Sequence, residues 1–176
     1  MASLRQLLGQ PPARPEIRFR REPATRVLAI GGEQPLDGAF EWFRSAFDEL
    51  HALVPPSRRT GPDGALYYPD FFHADAGRVT VFVATDCAPQ RPGRAAPLHL
   101  PAIALAVTRH DGPLGDLDRT YGVLGAFVAG RAIGADGPIR ERFLDSSASG
   151  RHLVEVGWPV AGTDDDPTPS DLTETP

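Results

Sequence analysis

Lysine is missing from this sequence of 176 residues, in which all 18 basic side chains are arginines. Its absence excludes a phosphate-loop lysine, a Schiff-base lysine and a lysine general base. Cysteine occurs once, as Cys87, so no disulfide can form within the chain and no paired-cysteine zinc site is expected. The low cysteine content is typical of a protein of the reducing cytoplasm, and we expect that location.

Long hydrophobic runs are also missing from the sequence. No segment has the roughly 18 consecutive apolar residues of a membrane-spanning helix, and the N-terminus lacks the apolar core of a signal peptide. We therefore expect no membrane partner. The five histidines have no spacing typical of metal ligands, so neither a metal site nor a cofactor is expected.

The net charge of −5 is concentrated at the C-terminal end. Residues 161–176 contain five acidic residues and no arginine, so residues 1–160 are electrically balanced. A balanced domain lacks the basic surface on which nucleic-acid binding depends, and we expect no direct nucleic-acid partner. The composition predicts a flexible N-terminal segment over residues 1–16 and a disordered acidic tail over residues 161–176.

The chain between these two ends consists of two similar halves. Apolar residues at spacings of three and four predict helices at Ala39–Val54 and near Asp116–Ala129. Alternating apolar residues between turn signals predict six strands. These are Arg26–Ile30, Ala65–Tyr68, Val79–Thr85, Ala102–Thr108, Arg140–Leu144 and His152–Val160. Each half therefore has the order strand, helix, strand, strand.

Two Gly-Pro pairs mark the repeat, because Gly61 and Gly137 lie 76 residues apart. The first copy spans about residues 24–86 and the second about residues 101–160. One such unit buries too little apolar surface to be stable alone, so the two copies must pack together as one domain over residues 17–160. We predict an α+β fold in which the duplicated unit forms one antiparallel sheet, with two helices on one face and a ligand groove on the other.

The alternation of the last strand predicts which side chains face the groove. Val154, Val156 and Trp158 fall on one face, under the helices, whereas Glu155 points to the other face and into the groove. A carboxylate among apolar neighbours is costly to bury unless something pairs with it, so Glu155 is the main candidate for ligand binding. The alternative is that Glu155 pairs with an arginine such as Arg142.

The other candidate site residues are small or aromatic. Ala104 is expected on the groove face, where it leaves room for a ligand, while Leu105 and Val107 take the helix face. Phe82 is the counterpart of Glu155 in the first repeat and gives the groove an aromatic wall. Further aromatic candidates for the ligand site are Tyr67, Phe143, Tyr121 and Trp42. Such a groove suits a flat, aromatic or cationic molecule.

Four short segments stand in an order that is typical of one known family. They are Arg26–Ile30, His110–Pro113 with the helix that follows it, Gly137–Leu144 and Val154–Val160. In these segments the chain resembles the GyrI-like small-molecule-binding domains, which also occur as effector-binding modules of MerR-type and AraC-type regulators. The resemblance covers about residues 17–160. The 25 residues before Arg26 are too few for a DNA-binding helix-turn-helix, so we expect a stand-alone member.

The resemblance implies both a fold and a function. The family fold is the duplicated unit predicted above, and its groove holds a buried glutamate on the last strand, a position that Glu155 matches. The implied activity is binding of a hydrophobic, aromatic or cationic small molecule, such as a drug or natural product, for sensing, sequestration or resistance. Aromatic residues would form the stacking walls.

Two alternative functions remain open. In the first, the protein is a hydrolase of cyclopropane-containing or similar electrophilic drugs, with Glu155 as the general base. In the second, it is an inhibitor or regulator subunit that binds a protein partner. Binding is preferred to hydrolysis because Leu114 and Phe143 stand where the family commonly has tyrosines. Neither side chain can donate the proton that hydrolysis requires.

Overall fold

The computed structural model of the chain describes residues 16–35, 39–72, 76–87, 93–146 and 151–162. The expected flexible N-terminal segment and acidic tail lie outside these ranges, apart from residues 16, 161 and 162. The helices and strands, in chain order, are β1 (Arg18–Glu22), β2 (Thr25–Pro35), α1 (Ala39–Leu53), β3 (Asp63–Tyr67), β4 (Ala76–Ala84), β5 (Ala96–Leu100), β6 (Ile103–Gly112), α2 (Leu117–Gly130), β7 (Ile139–Ser146) and β8 (His152–Pro159).

The eight strands form one sheet in the order β1-β6-β8-β7-β3-β4-β2-β5, and all neighbouring strands are antiparallel. The unit strand-helix-strand-strand occurs twice, as β2-α1-β3-β4 and as β6-α2-β7-β8. The two units meet where β3 pairs with β7 at the centre of the sheet. This arrangement confirms the predicted α+β fold with a single antiparallel sheet.

The sequence-based prediction omits two of the eight strands, β1 and β5. Strand β1 contains three arginines, and β5 contains Pro97 in a region that reads as a proline-rich linker. Both strands lie at the edges of the sheet, where charged side chains and proline are tolerated because one side of the strand needs no ladder partner. The strand propensity of the sequence is therefore a weak signal for strands at the edge of a sheet.

These two edge strands also connect the halves of the domain. Strand β1 precedes the first unit in sequence but pairs with β6, the first strand of the second unit. Strand β5 precedes the second unit but pairs with β2, the first strand of the first unit. Because each edge strand crosses to the other half, the two units are held together by ladders in addition to the central β3–β7 pair.

Both helices pack on the same face of the sheet, as predicted. Ala65, Glu141 and Val156 are direct neighbours across three adjacent strands, so their side chains share one face. Ala65 packs in the core under α1, and Val156 packs in the core under α2. Leu50 of α1 and Leu124 of α2 are fully buried, and each such burial stabilises the fold by about 1.5–3 kcal/mol.

The expected orientation of β6 is wrong. Ala104 and Ala106 lie on the helix face with the α2 core, whereas Leu105 and Val107 lie on the opposite face against Gly157. Ala106 is the direct cross-strand partner of Trp158, so its small side chain leaves room for a large indole beneath α2. The small residues of this strand therefore accommodate packing within the protein.

Neither helix of the described ranges combines the length with the apolar character that crossing a bilayer would demand.

Replacing Gly122 by alanine is expected to raise the free energy of unfolding by about 0.5–1 kcal/mol, because glycine within a helix loses more backbone freedom on folding. A Cβ atom at Gly122 would meet no atom within 4 Å. Gly125→Ala is the comparison variant. Its Cβ atom would lie 3.2 Å from Cζ3 of Trp158, and this close contact should cancel the gain in stability. Urea unfolding measures both variants, and equal gains would contradict the close packing of Trp158 on α2.

Candidate functional site

A cavity of about 760 Å³ lies on the helix-bearing face of the sheet. Helix α1 packs mainly on β2 and β4, and α2 packs mainly on β6 and β8, so the central strands β3 and β7 contribute the floor between them. This cavity is therefore on the face opposite to the expected groove, and α2, the segment after β3 and the loop between α2 and β7 enclose it. Its lining residues are Tyr67, Pro69, Phe71, Leu117, Asp118, Tyr121, Gly122, Gly125, Ala135, Asp136, Gly137, Ile139, Glu141 and Trp158.

The carboxyl group of Glu141 is the main polar feature inside this cavity. Glu141 is on β7, and only 2% of its surface is exposed. The hydroxyl of Tyr67 donates a hydrogen bond to Oε2 of Glu141 at 3.0 Å, and the hydroxyl of Tyr121 donates to Oε1 at 2.7 Å. Strand β3 supplies Tyr67 and helix α2 supplies Tyr121, so both halves of the domain contribute to the site.

Burial raises the pKa of Glu141 to about 7, although the hydrogen bonds from Tyr121 and Tyr67 act in the opposite direction. Burial, together with the nearby carboxylate, also raises the pKa of each tyrosine well above its ordinary value, so both hydroxyls remain donors. Among the described residues, neither arginine nor histidine forms an ion pair with Glu141. At neutral pH this carboxyl therefore exchanges between a neutral and a negatively charged form.

Aromatic rings surround the carboxyl group. The rings of Tyr67 and Tyr121 are perpendicular, with centroids 6.4 Å apart, and the ring of Phe71 lies 5.1 Å from that of Tyr67. Trp158 of β8 packs against the backbone of α2 at Gly125, where a larger residue would displace the indole. The cavity thus presents apolar aromatic surface around one ionisable group.

The predicted site residues fall into three groups. Tyr67 and Tyr121 line the cavity. Phe143, Trp42 and Ala104 pack in the cores beneath the helices and do not line it; the ring of Phe143, for example, meets that of Phe47 edge-on at 5.7 Å. The third group, Glu155 and Phe82, lies on the face of the sheet opposite to α1 and α2, away from the cavity.

We call the face of the sheet opposite to α1 and α2 the open face; it carries Arg20, Phe82, Arg142 and Glu155. On this face Glu155 is part of an ion-pair network. Arg20 donates to Oε1 of Glu155 at 2.6 Å, and Arg142 and Arg109 each approach its carboxylate to 3.6 Å. Burial opposes ionisation of Glu155, but the hydrogen bond from Arg20 and the nearby positive charges lower its pKa overall. The structure therefore has the pairing with arginine that the sequence left as the alternative.

Glu141 is the residue that the sequence analysis missed. Strand alternation, which predicts the two faces of the last strand, also puts Ile139, Glu141 and Phe143 of β7 on one face. An acidic residue between two apolar ones on the inward face is the signal that could have identified it. That face is the helix face, because Glu141 is paired with Ala65 and Val156.

Solved structures of related fold support this architecture. The EcmrR C-terminal domain superposes with a TM-score of 0.72 at 18% identity, over 85% of this chain and 99% of that chain. SAV2435 bound to tetraphenylphosphonium gives 0.58 at 11% identity, over 84% and 94%. A hydrolase from Listeria innocua gives 0.58 at 14% identity, over 90% and 97%. At these identities the likeness shows the fold.

The EcmrR chain in its DNA complex is longer, and the present chain covers 59% of it. A search of curated proteins gave no match. The family model of the GyrI-like small molecule binding domain matches residues 15–161, which is most of the chain. The chain therefore belongs to the GyrI-like small molecule binding domain family.

Proposed function

We propose that the cavity binds a hydrophobic cation and that Glu141 is the residue that selects its charge. The observation that carries this proposal is a buried carboxyl group with two tyrosine donors and, among the described residues, no cationic partner. A buried carboxylate without a counterion is unfavourable, and a ligand cation would supply one. The positive charge of the ligand then replaces the proton on Glu141.

The size and lining of the cavity support the same ligand class. A volume of about 760 Å³ lies within the roughly 300–1,000 Å³ that is typical of sites for drug-sized molecules. Tyr67, Tyr121 and Trp158 offer aromatic faces, which attract cations as well as apolar surface. The other lining residues whose side chains are charged at neutral pH, Asp118 and Asp136, are both acidic. An anionic ligand would meet like charge in this cavity.

The structure of SAV2435, a protein of similar fold, bound to tetraphenylphosphonium supports this choice of ligand class and provides a probe. Tetraphenylphosphonium is a permanent cation whose charge is enclosed by four aromatic rings. It cannot lose its charge with pH, and it donates no hydrogen bonds. Binding of this probe therefore reports apolar burial and charge alone.

Titration of tetraphenylphosphonium into the Gly122→Phe variant tests whether the cavity is the binding site. Gly122 lines the cavity, and a Cβ there would meet no atom within 4 Å, so phenylalanine should fill the cavity without disturbing the helix. We expect isothermal titration calorimetry to give an affinity at least tenfold weaker, which corresponds to about 1.4 kcal/mol.

Gly130→Phe is the matched control for this experiment. Gly130 is on the same helix, and a Cβ there also meets no atom within 4 Å, but the residue does not line the cavity. This variant should bind tetraphenylphosphonium like the parent protein. Equal affinity in both variants and in the parent would place the ligand elsewhere and refute the proposed site.

Hydrolysis is a second candidate function. The buried environment of Glu141 suits a general base better than that of Glu155 does. A base works best when its pKa lies near the working pH, and burial brings the pKa of Glu141 to about 7. The Tyr67 and Tyr121 hydroxyls could supply the proton that Leu114 and Phe143 cannot. Glu141 would take a proton from water while the water oxygen bonds to a ring carbon, and the carbon released by C–C cleavage would take a tyrosine proton. Glu141 would then return its proton to the tyrosinate, to which it is hydrogen-bonded.

Incubation with electrophilic cyclopropane compounds, followed by mass spectrometry, distinguishes binding from hydrolysis. Because the binding proposal is preferred, we expect recovery of unchanged compound. The hydrolase alternative predicts a product heavier by one water, formed over many turnovers and lost in the Tyr121→Phe variant. Such turnover would overturn simple binding. The other alternative, binding of a protein partner, remains a prediction, because a ligand titration does not test it.

A further inference from the structure

A second, smaller cleft lies on the open face of the sheet, separate from the cavity. Its volume is about 250 Å³, and Arg20, Arg140 and Arg142 line it together with Glu22 and Phe82. We propose that this cleft is an oxyanion-binding site, which takes a phosphate or carboxylate group through the guanidinium of Arg142. The proposal does not depend on the function of the helix-side cavity.

The charges around the cleft do not balance. Arg20, Arg140 and Arg142 all lie within 4 Å of Glu22, and Arg20 and Arg142 also approach Glu155. Arg109 adds a fourth guanidinium, 3.6 Å from Glu155. Among the described residues, this network therefore holds four positive and two negative charges. A partly buried network with excess positive charge attracts an anion, which supplies the missing counter-charge.

Two of the arginines are already held by short contacts. Arg20 donates to Glu22 and to Glu155, at 2.6 Å in both cases. Arg140 donates to Glu22 at 3.0 Å and to the carbonyl of Pro101 at 3.1 Å, and its side chain is only 6% exposed. The buried Nε atoms of these two arginines have no hydrogen-bond acceptor among the described residues. Arg20 and Arg140 therefore fix the shape and positive charge of the cleft.

Arg142 differs from these two, because its guanidinium group is available to a ligand. Its nearest carboxylate oxygens, on Glu22 and Glu155, lie at 3.7 and 3.6 Å, which is too long for hydrogen bonds. The side chain is one-third exposed. A guanidinium presents five donors in a planar fork that matches the paired oxygens of phosphate and carboxylate. The cleft is small enough to favour one such group over a drug-sized molecule.

Two sources could supply the oxyanion. One is a free phosphate-bearing compound, and the other is the chain itself, since Asp164, Asp165 and Asp166 follow closely after the last described residue. A Cβ atom on Gly162 would lie 3.8 Å from Nη2 of Arg21, the residue next to Arg20 on β1. The described chain therefore ends beside the edge strand β1, but on its helix face, because Arg21 is the cross-strand partner of Ala104, so the aspartates would have to pass around this edge to reach the cleft.

Calorimetric titration with inorganic pyrophosphate at fixed ionic strength tests the site. The full chain is compared with a full-length variant that carries Asp164→Asn, Asp165→Asn and Asp166→Asn. If the site takes free anions, both proteins should bind the probe equally. If the aspartates occupy it, the triple variant should bind at least fivefold more tightly than the parent chain. Absence of pyrophosphate binding in both proteins would overturn the proposal.

Substitutions of Arg142 determine where the probe binds. We expect Arg142→Gln, in whichever background binds the probe, to weaken binding at least tenfold, and Arg142→Lys to keep part of the affinity. Arg119→Gln is the control, because Arg119 is 81% exposed and lies outside the cleft. Its affinity should equal that of its background. Unchanged binding in Arg142→Gln, with folding verified by circular dichroism, would show general attraction of anions and refute the site.

Discussion

Replacing Glu141 by glutamine is expected to weaken binding of tetraphenylphosphonium by about tenfold to a hundredfold. The amide has nearly the same size, and the Tyr67 and Tyr121 hydroxyls can still hydrogen-bond to it, but it carries no charge for the cation. Losing a charged partner in a site shielded from water costs roughly 1.5–3 kcal/mol, and each 1.4 kcal/mol is tenfold in affinity. Calorimetry at about pH 8, where the carboxyl is ionised, measures the change.

The neutral probe triphenylphosphine oxide, which has a similar shape, separates charge from packing. Its affinity should change little in Glu141→Gln, and Glu33→Gln, an exposed site away from the cavity, should affect neither probe. In the parent protein, affinity for the cation should fall as the pH drops below about 7, because protonation neutralises Glu141. Equal losses for the cation and the neutral probe would show that Glu141 acts through packing.

The same substitution is expected to make the protein more stable at alkaline pH. Burial raises the pKa of Glu141 from 4.5 to about 7, so the unfolded chain loses this proton at a lower pH than the folded one. Stabilisation of the fold by the protonated carboxyl is therefore complete below about pH 4.5 and is lost as the pH rises through 7. The difference amounts to about 3 kcal/mol. Glutamine stays neutral and avoids this loss.

Urea unfolding of the parent protein and of Glu141→Gln at about pH 4, 6 and 9 measures this effect. The stability of the variant relative to the parent should rise by about 3 kcal/mol across the range, and most of the rise should occur between pH 4.5 and 7. The same measurement on Glu33→Gln shows how much of the pH dependence comes from removing an exposed glutamate. A difference that does not vary with pH would show that Glu141 has an ordinary pKa, and it would remove the main support for cation selection.

Together these predictions assign opposite effects to one carboxyl group. An ionised Glu141 weakens the ligand-free fold, and the proposed cation relieves that unfavourable burial when it binds. The ligand should therefore stabilise the protein more at pH 8 than at pH 5, beyond the general stabilisation by any bound molecule. Destabilising groups of this kind are common at functional sites, where stability is lost for the sake of activity.

The sequence by itself was sufficient for the repeated unit and its helices. Apolar spacing located α1 and α2 to within one residue at each end, and Pro55 and Pro56 mark the end of α1. Alternation placed Val154, Val156 and Trp158 correctly under α2. These features depend on periodicities of a few residues, which a linear sequence displays directly.

The site depended on contacts that no local pattern displays. Tyr67, Tyr121 and Glu141 are far apart in sequence, and they meet because β3 pairs with β7 while α2 lies above that pair. Alternation separates the two faces of a strand but does not say which face a helix will cover. For that reason alternation along β6 predicts the wrong face for Ala104, and alternation along the last strand points to Glu155 without revealing Glu141.

Composition, the repeat and the family resemblance were thus determined by the sequence, whereas the tertiary structure decided which of two buried glutamates has no counterion within the described part of the chain. Glu155 is within reach of Arg20, Arg142 and Arg109, which come from three different strands, and their charges keep it ionised. Glu141 is enclosed by aromatic rings and two hydroxyls. Because the energy of a buried charge depends on everything packed around it, this difference exists only in the folded chain.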